Sequence, residues 1–383
     1  MADDLVRFAA LSPSHTTDDV ISHIGPLDGI RALSILLVMV SHAGLGIATA
    51  SLGMTSFFFL SGYLIATLMR REQQRSGRVA LGAFYLRRAL RILPPLWITI
   101  LLSMLLAAAG ILHARFDWIA IFSQFVLVIS YGAIWGHSEG MPFLPLWSLA
   151  VEEHYYLVFP VLYICLFSKI SGRSGALICI GICAAILGFR FGHAWAGTAS
   201  WYIYTWSHTR VDAIFAGAAL ALYRNPVVKG EGRGAGAYGV IFALCLLAVS
   251  VLIRDEVFRQ TVRYSLQSIA MYFLFDFVLR NPGWLAGVLS SRPARFVGDR
   301  SYALYLCHLP IMVLVGQYHL STSVGMRAAI SIAIAFLYAS IMYVAVERPL
   351  ARLRKRLHRV PAARTAAKCA PSEAFPEAVE SRP

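Results

Sequence analysis

Residues 27–42 read LDGIRALSILLVMVSH, and the apolar run continues to about residue 48. A helix over 30–48 is long enough for a hydrocarbon core of about 30 Å, which takes roughly 17–25 helical residues. Similar runs follow near 52–69, 92–112, 150–167, 174–190, 236–253, 264–280, 301–317 and 327–346, with shorter or ambiguous ones near 117–134 and 210–223. Of the 383 residues 58% are apolar and 14% charged, whereas a globular domain carries about a quarter charged residues. With a mean hydropathy of +0.64, lipid rather than a single core must cover most of this chain. The sequence therefore predicts an all-α, polytopic membrane protein.

The formal charge of +14 invites a nucleic-acid reading, but the basic residues sit between the apolar runs, where orientation in a bilayer accounts for them. Nucleic-acid binding is disfavoured. The segment 70–91 holds seven arginines, which marks it and the N-terminus as cytosolic; Lys169 to Arg173, Arg224 to Arg233, Arg280 to Arg300 and the residues after Glu347 mark further inner segments. Only Arg115, Arg254, Arg259 and Arg263 fall in the outer loops. An even number of crossings between inner segments accepts 210–223 as a span and makes 117–134 re-entrant or interfacial. The expectation is about ten transmembrane helices with both termini cytosolic.

Residues 1–27 carry Asp3, Asp4, Asp18 and Asp19 without an apolar core, which predicts a cytosolic arm and no cleavable signal peptide. Residues 28–352 form the expected membrane domain, and 353–383 a basic, disordered cytosolic tail. Five of the six cysteines lie in apolar runs and Cys369 in the tail, so neither a disulfide framework nor a metal spacing emerges.

Asp28, Arg31 and His42 are costly on a lipid-facing helix and usually face a cavity or protein. Eleven residues carry a helix about 20° past three turns, so Arg31 and His42 share a face, about 16 Å apart along the axis. On spacing alone His42 is equally a packing histidine or a base suited to a hydroxyl proton. In WSLAVEEHYY (147–156) two adjacent carboxylates diverge by about 100°, so at most one fully faces a shared site. Glu152, with Tyr156 and Ser148 one turn to either side, is the better candidate, although Trp147, Tyr155 and Tyr156 also suit plain interfacial anchoring. Arg87, Arg88 and Arg91 crowd one side of a helix start, which suits either a phosphate or topogenic charge against lipid headgroups. Tyr305 and His308, one turn apart in GDRSYALYLCHLP, and Asp212 and Glu347 complete the unusual polar positions.

Taken in order, LDGIRALSILLVMVSH, FFFLSGY, RRALRILPP, WSLAVEEHYY, RVDAIFAG, GDRSYALYLCHLP and VERP resemble the motif set of acyltransferase family 3, the membrane acyltransferases of bacterial surface and secreted glycans. The resemblance runs from about Leu27 to Arg352. It implies a ten-helix enzyme moving an acyl group, usually acetyl, from a cytosolic acyl-CoA to the sugar hydroxyl of a glycan or glycolipid, in the bacterial inner membrane. Acetyl-CoA would be a donor substrate rather than a resident cofactor, and no metal is required because a thioester is already activated. The family's arginine and histidine map onto Arg31 and His42, its paired basic motif onto Arg88 and Arg91, and its acidic position onto Glu152. These imply His42, Arg31 and Glu152 as catalytic residues and Arg87, Arg88 and Arg91 as the donor site, with Trp147, Ser148, Tyr305 and His308 as the acceptor site. Tyr63, His154 and Tyr155 depart from the common pattern, and the chain reads as a stand-alone form without a hydrolase-like domain. The rival from another class is a proton-coupled exporter using His42, Glu152 and Asp212 as a relay; the lack of an internal repeat weighs against it.

Overall fold

The computed structural model describes residues 25–45, 50–113, 143–228, 234–321 and 323–357. The re-entrant segment expected at 117–134, nearly all of the N-terminal arm and the tail after residue 357 lie outside them. Among the described residues every regular element is helical, as expected where a backbone in lipid must satisfy its own hydrogen bonds.

Ten principal helices coincide with the apolar segments read from the sequence: α1 (Gly25–His42), α2 (Ala50–Ser76), α3 (Leu81–Ala108), α4 (Trp147–Cys165), α5 (Gly172–Trp195), α6 (Asp212–Leu222), α7 (Ala237–Leu252), α8 (Val262–Arg280), α9 (Ser301–Gln317) and α10 (Val324–Met342). Among the described residues, five helical segments are long and apolar enough to cross a membrane: α2, α3, α5, the stretch Trp147–Lys169 that contains α4, and the stretch Val324–Arg354 that begins with α10. The chain is a multi-pass membrane protein. By contrast α6, with 11 residues, reaches only about 16 Å, so the span expected at 210–223 is a half-length helix preceded by the short helices Ser200–Thr205 and Ser207–Arg210.

Hydropathy misplaces several ends. Helix α2 runs past the expected residue 69 and includes Arg70, Arg71 and Arg75, while α3 starts at Leu81 and takes in Arg87, Arg88 and Arg91. The arginine-rich segment is thus two helix ends around a tight turn rather than a loop. Glu72 closes that turn, accepting from the Ala80 amide at 2.9 Å and pairing with Arg87 at 3.6 Å. Helix α1 stops at His42, because Gly44 takes a positive φ of 75° and its amide returns to the Ser41 carbonyl. Beyond α10 the chain makes one π turn, Tyr343–Glu347, and continues as Arg348–Leu357, so the first five residues of the expected tail are helical.

Helix α2 is the core element, packed face to face on α6. A Cβ on Gly62 would lie 1.8 Å from the Ile214 carbonyl oxygen, and one on Gly217 2.0 Å from that of Phe59. Only reciprocal glycines let these backbones touch. A second core cluster joins α1, α9 and α10 through Ile35, Met39, Leu304, Cys307, Ala335 and Ala339. Deep in the bundle Arg190 of α5 donates to Asp212 at 2.7 Å, to the Thr209 carbonyl at 2.9 Å and to Ser265 at 2.7 Å. Both ions of this pair are fully buried. Arg210 next to it lies 3.7 Å over the Tyr264 ring.

Candidate active site

A cavity of about 760 Å³, counted out to its open mouth, lies between α1, α2, α3, α4 and α9. Three guanidinium groups line it, Arg31 from α1 and Arg88 and Arg91 from α3, together with one carboxylate, Glu152 of α4. Arg31 donates to Asp28 one turn earlier at 2.6 Å, which holds it against the repulsion of Arg88 and Arg91. Arg88 lies 4.8 Å over the ring of Tyr156, and Arg91 is exposed at the cavity. Three cations around one anion make an electropositive pocket shaped for a multiply charged anion.

Glu152 is fixed from both sides. Ser61 of α2 donates to its Oε1 at 2.8 Å and Tyr156 to its Oε2 at 3.0 Å, and the Tyr156 hydroxyl also reaches Ser61 at 2.9 Å. This closed triangle matches the helical reading that placed Tyr156 one turn from Glu152. Glu153 points elsewhere, as the 100° step requires; its Oε1 is buried and meets no hydrogen-bond partner among the described residues.

His42 does not line this cavity. As the last residue of α1 it abuts the middle of α9, where its Nδ1 lies 2.9 Å from Nε2 of His308. The two rings differ by only 7° in plane and their centroids are 5.1 Å apart. A ring radius of about 1.2 Å at each end leaves room for one N···N bond directly between the centres, so the contact is in-plane and nearly linear rather than a face-to-face stack. His42 is exposed, whereas His308 is fully buried. The His308 Nδ1 in turn sits 2.7 Å from the Tyr305 carbonyl. Tyr305 stands between the two halves: its ring centroid is 5.6 Å from that of His308, its hydroxyl is 2.5 Å from Ser148 Oγ and also donates to the Pro145 carbonyl, and both Tyr305 and Ser148 line the arginine cavity.

The structure therefore brings Arg31, Arg88, Arg91, Glu152, Ser148 and Tyr305 to one cavity and sets His42 and His308 just beyond Tyr305. Three expectations are revised. Arg87 faces Glu72 instead of the cavity; Trp147 is buried against Phe58 and Tyr204 as a packing residue; and His308 binds His42 rather than presenting itself to an acceptor. Glu152 does not orient His42: its oxygens meet Ser61 and Tyr156, and the ring of His42 meets His308. Ser61 and Tyr302, which also line the cavity, were not singled out from sequence. A serine in the middle of an apolar helix was the available signal for Ser61; Tyr302 carried none beyond its motif.

A family described as an acyltransferase domain matches residues 24–346 of the chain. Among curated relatives, a Staphylococcus aureus protein (strain COL) provisionally named an O-acetyltransferase is 27% identical over 354 residues, covering 85% of this chain and 57% of its own length. The peptidoglycan O-acetyltransferase OatA of Listeria monocytogenes is 26% identical, covering 86% of this chain and 56% of its own, and the O-acetyltransferase OatA of Staphylococcus aureus (strain NCTC 8325) is 26% identical with 85% and 56% covered. The chain thus spans just over half the length of the curated relatives it matches. No solved structure matches it. With the domain match extending over most of the chain, the chain belongs to acyltransferase family 3.

Proposed function

We propose that this protein is an O-acyltransferase of the bacterial cytoplasmic membrane that moves an acyl group, acetyl in the first instance, from a cytosolic coenzyme A thioester to a sugar hydroxyl of a cell-surface or secreted glycan. The observation that carries this reading is the cavity in which Arg31, Arg88 and Arg91 converge, with an exposed, hydrogen-bonded histidine one side chain beyond it. With a cytosolic N-terminus, α1 leads out and α2 returns, which puts the turn between α2 and α3, and with it the mouth of the arginine cavity, on the donor's side. The arginines take the donor's phosphates, and its thioester arm extends past Tyr305 toward His42. There the acceptor hydroxyl gives its proton to Nε2 of His42 while its oxygen attacks the thioester carbonyl carbon. The C–O bond forms, the C–S bond breaks, and the proton passes on to the departing thiolate. Glu152, locked by Ser61 and Tyr156, faces the arginines across the same cavity.

A relay through His42, Glu152 and Asp212, which an exporter would need, finds no support: His42 bonds to His308, Glu152 to Ser61 and Tyr156, and Asp212 to Arg190. Inside-out membrane vesicles given acetyl-CoA from the outside should release free coenzyme A only when an acceptor glycan is present. Release equal with and without this chain, or glycan movement without thioester consumption, would remove the acyltransferase reading.

The donor site makes a sharper demand. Arg88→Ala or Arg91→Ala should weaken coenzyme A binding by about 10 to 100-fold, the loss of one charge-assisted hydrogen bond at roughly 1.5–3 kcal/mol. Arg87→Ala, which breaks the rim pair with Glu72, worth about 0–1 kcal/mol, should leave affinity within about fivefold. Calorimetric titration in lipid nanodiscs separates the two; equal small losses at all three positions would assign the cluster to membrane orientation alone.

A further inference from the structure

We infer that His308 is a positioning residue that fixes the tautomer of His42, leaving Nε2 of His42 as the bare, proton-accepting nitrogen. A backbone carbonyl can only accept, so the 2.7 Å contact between His308 Nδ1 and the Tyr305 carbonyl places a proton on that Nδ1. A neutral imidazole has one N–H, so the His308 Nε2 carries a lone pair. Two lone pairs cannot share a contact of 2.9 Å, and the proton between the rings must therefore belong to His42 Nδ1. His42 then has no proton left for Nε2. The alternative, a doubly protonated His308, would leave a charge in a fully buried position, at a large desolvation cost; His308 makes no carboxylate contact among the described residues.

The geometry favours the same assignment. The near-coplanar rings put the Nδ1–H of His42 in line with its acceptor, and the burial of His308 keeps water from competing for it. Leu304 and Cys307, which precede His308 on α9 by one turn and by one residue, are both buried. A side chain that must hold a catalytic imidazole in one tautomer does the work a carboxylate does in a serine-protease triad; here a neutral ring with a backbone-anchored proton performs it. When His42 takes up a proton at Nε2, its Nδ1–H becomes a stronger donor and the same bond tightens.

The proposal rests on His42 acting as the base, but the tautomer can be tested without activity. In the full chain in lipid, with ¹⁵N-labelled histidine, solid-state NMR identifies His42 as the signal missing from His42→Ala. The expected spectrum of neutral His42 shows Nδ1 protonated and Nε2 bare. In His308→Phe, which keeps a ring but offers no acceptor, the proton should move toward Nε2, the form a free imidazole side chain prefers. The same variant should lower kcat by about 10²-fold or more, with KM for donor and acceptor little changed, and His308→Gln, whose amide oxygen can accept from His42 Nδ1–H, should recover most of that loss. An Nε2–H tautomer in the wild-type chain, or a spectrum unmoved by His308→Phe, overturns the inference whatever the activity. Since the wild-type spectrum needs no variant, a His308→Phe chain that fails to fold leaves that test standing. A correct tautomer together with an active His42→Gln would instead sink the role of His42 as base while the paired rings remain.

Discussion

His42→Gln is expected to give a folded, inserted protein whose acceptor-dependent release of coenzyme A falls by about 10² to 10⁴-fold, the usual contribution of a general base. Glutamine can donate to Nε2 of His308 as His42 does across 2.9 Å, so the link between α1 and α9 is kept. It cannot take a proton from a hydroxyl. Donor affinity should stay near the wild-type value, because His42 lies outside the cavity that holds Arg31, Arg88 and Arg91. Loss of turnover with retained coenzyme A binding is thus the specific signature. Near-normal transfer by His42→Gln would reduce His42 to a packing residue and send the search for the base to Glu152, the one carboxylate in the cavity.

Asp212→Ala is expected to cost about 3–5 kcal/mol of stability, the penalty for leaving one member of a buried ion pair without the other. Arg190 and Asp212 are both fully buried, and the arginine also holds the Thr209 carbonyl and Ser265, so the pair ties α5 to α8 and to the start of α6. Removing the carboxylate strands a guanidinium among apolar helices. Replacing both partners together, Arg190→Met with Asp212→Leu, should recover much of the loss, since a buried pair exchanged for packed apolar side chains is often neutral. Equilibrium unfolding in a mild detergent, with transfer activity measured alongside, distinguishes the cases. A single variant as stable as the wild type would show that water or lipid headgroups reach Arg190, and a double variant no better than the single would show that shape rather than charge is at stake.

What could be read without coordinates was governed by local rules. Apolar runs of a span's length become helices because a backbone in lipid has no other partner for its amides, and helical spacing alone put Tyr156 beside Glu152 and turned Glu153 away. Helix ends were less legible. Arginines depress hydropathy without breaking a helix, so α2 and α3 extend well into the segment taken for a loop, and the end of α1 depends on the positive φ of Gly44. Arg31 stood out as an ionisable group on an apolar span, Glu152 by its polar helix face, and Arg88 and Arg91 by the crowding of like charge at a helix start.

Tertiary structure decided what spacing cannot carry: which of these groups meet. Arg31 and His42 share a helix face, yet one lines the cavity and the other does not, because α9 crosses α1 and seats His308 against its end. Arg87 and Arg88 are neighbours in sequence, but one turns to Glu72 and the other to Tyr156. Ser61 meets Glu152 across 91 residues of chain, and His42 meets His308 across 266. The sequence by itself determined the helices and the kinds of charge they carry, since both follow from neighbours along one chain; the pairing of those charges was left to the packing of helices, where reciprocal contacts such as Gly62 on Ile214 and Gly217 on Phe59 fix which faces can approach.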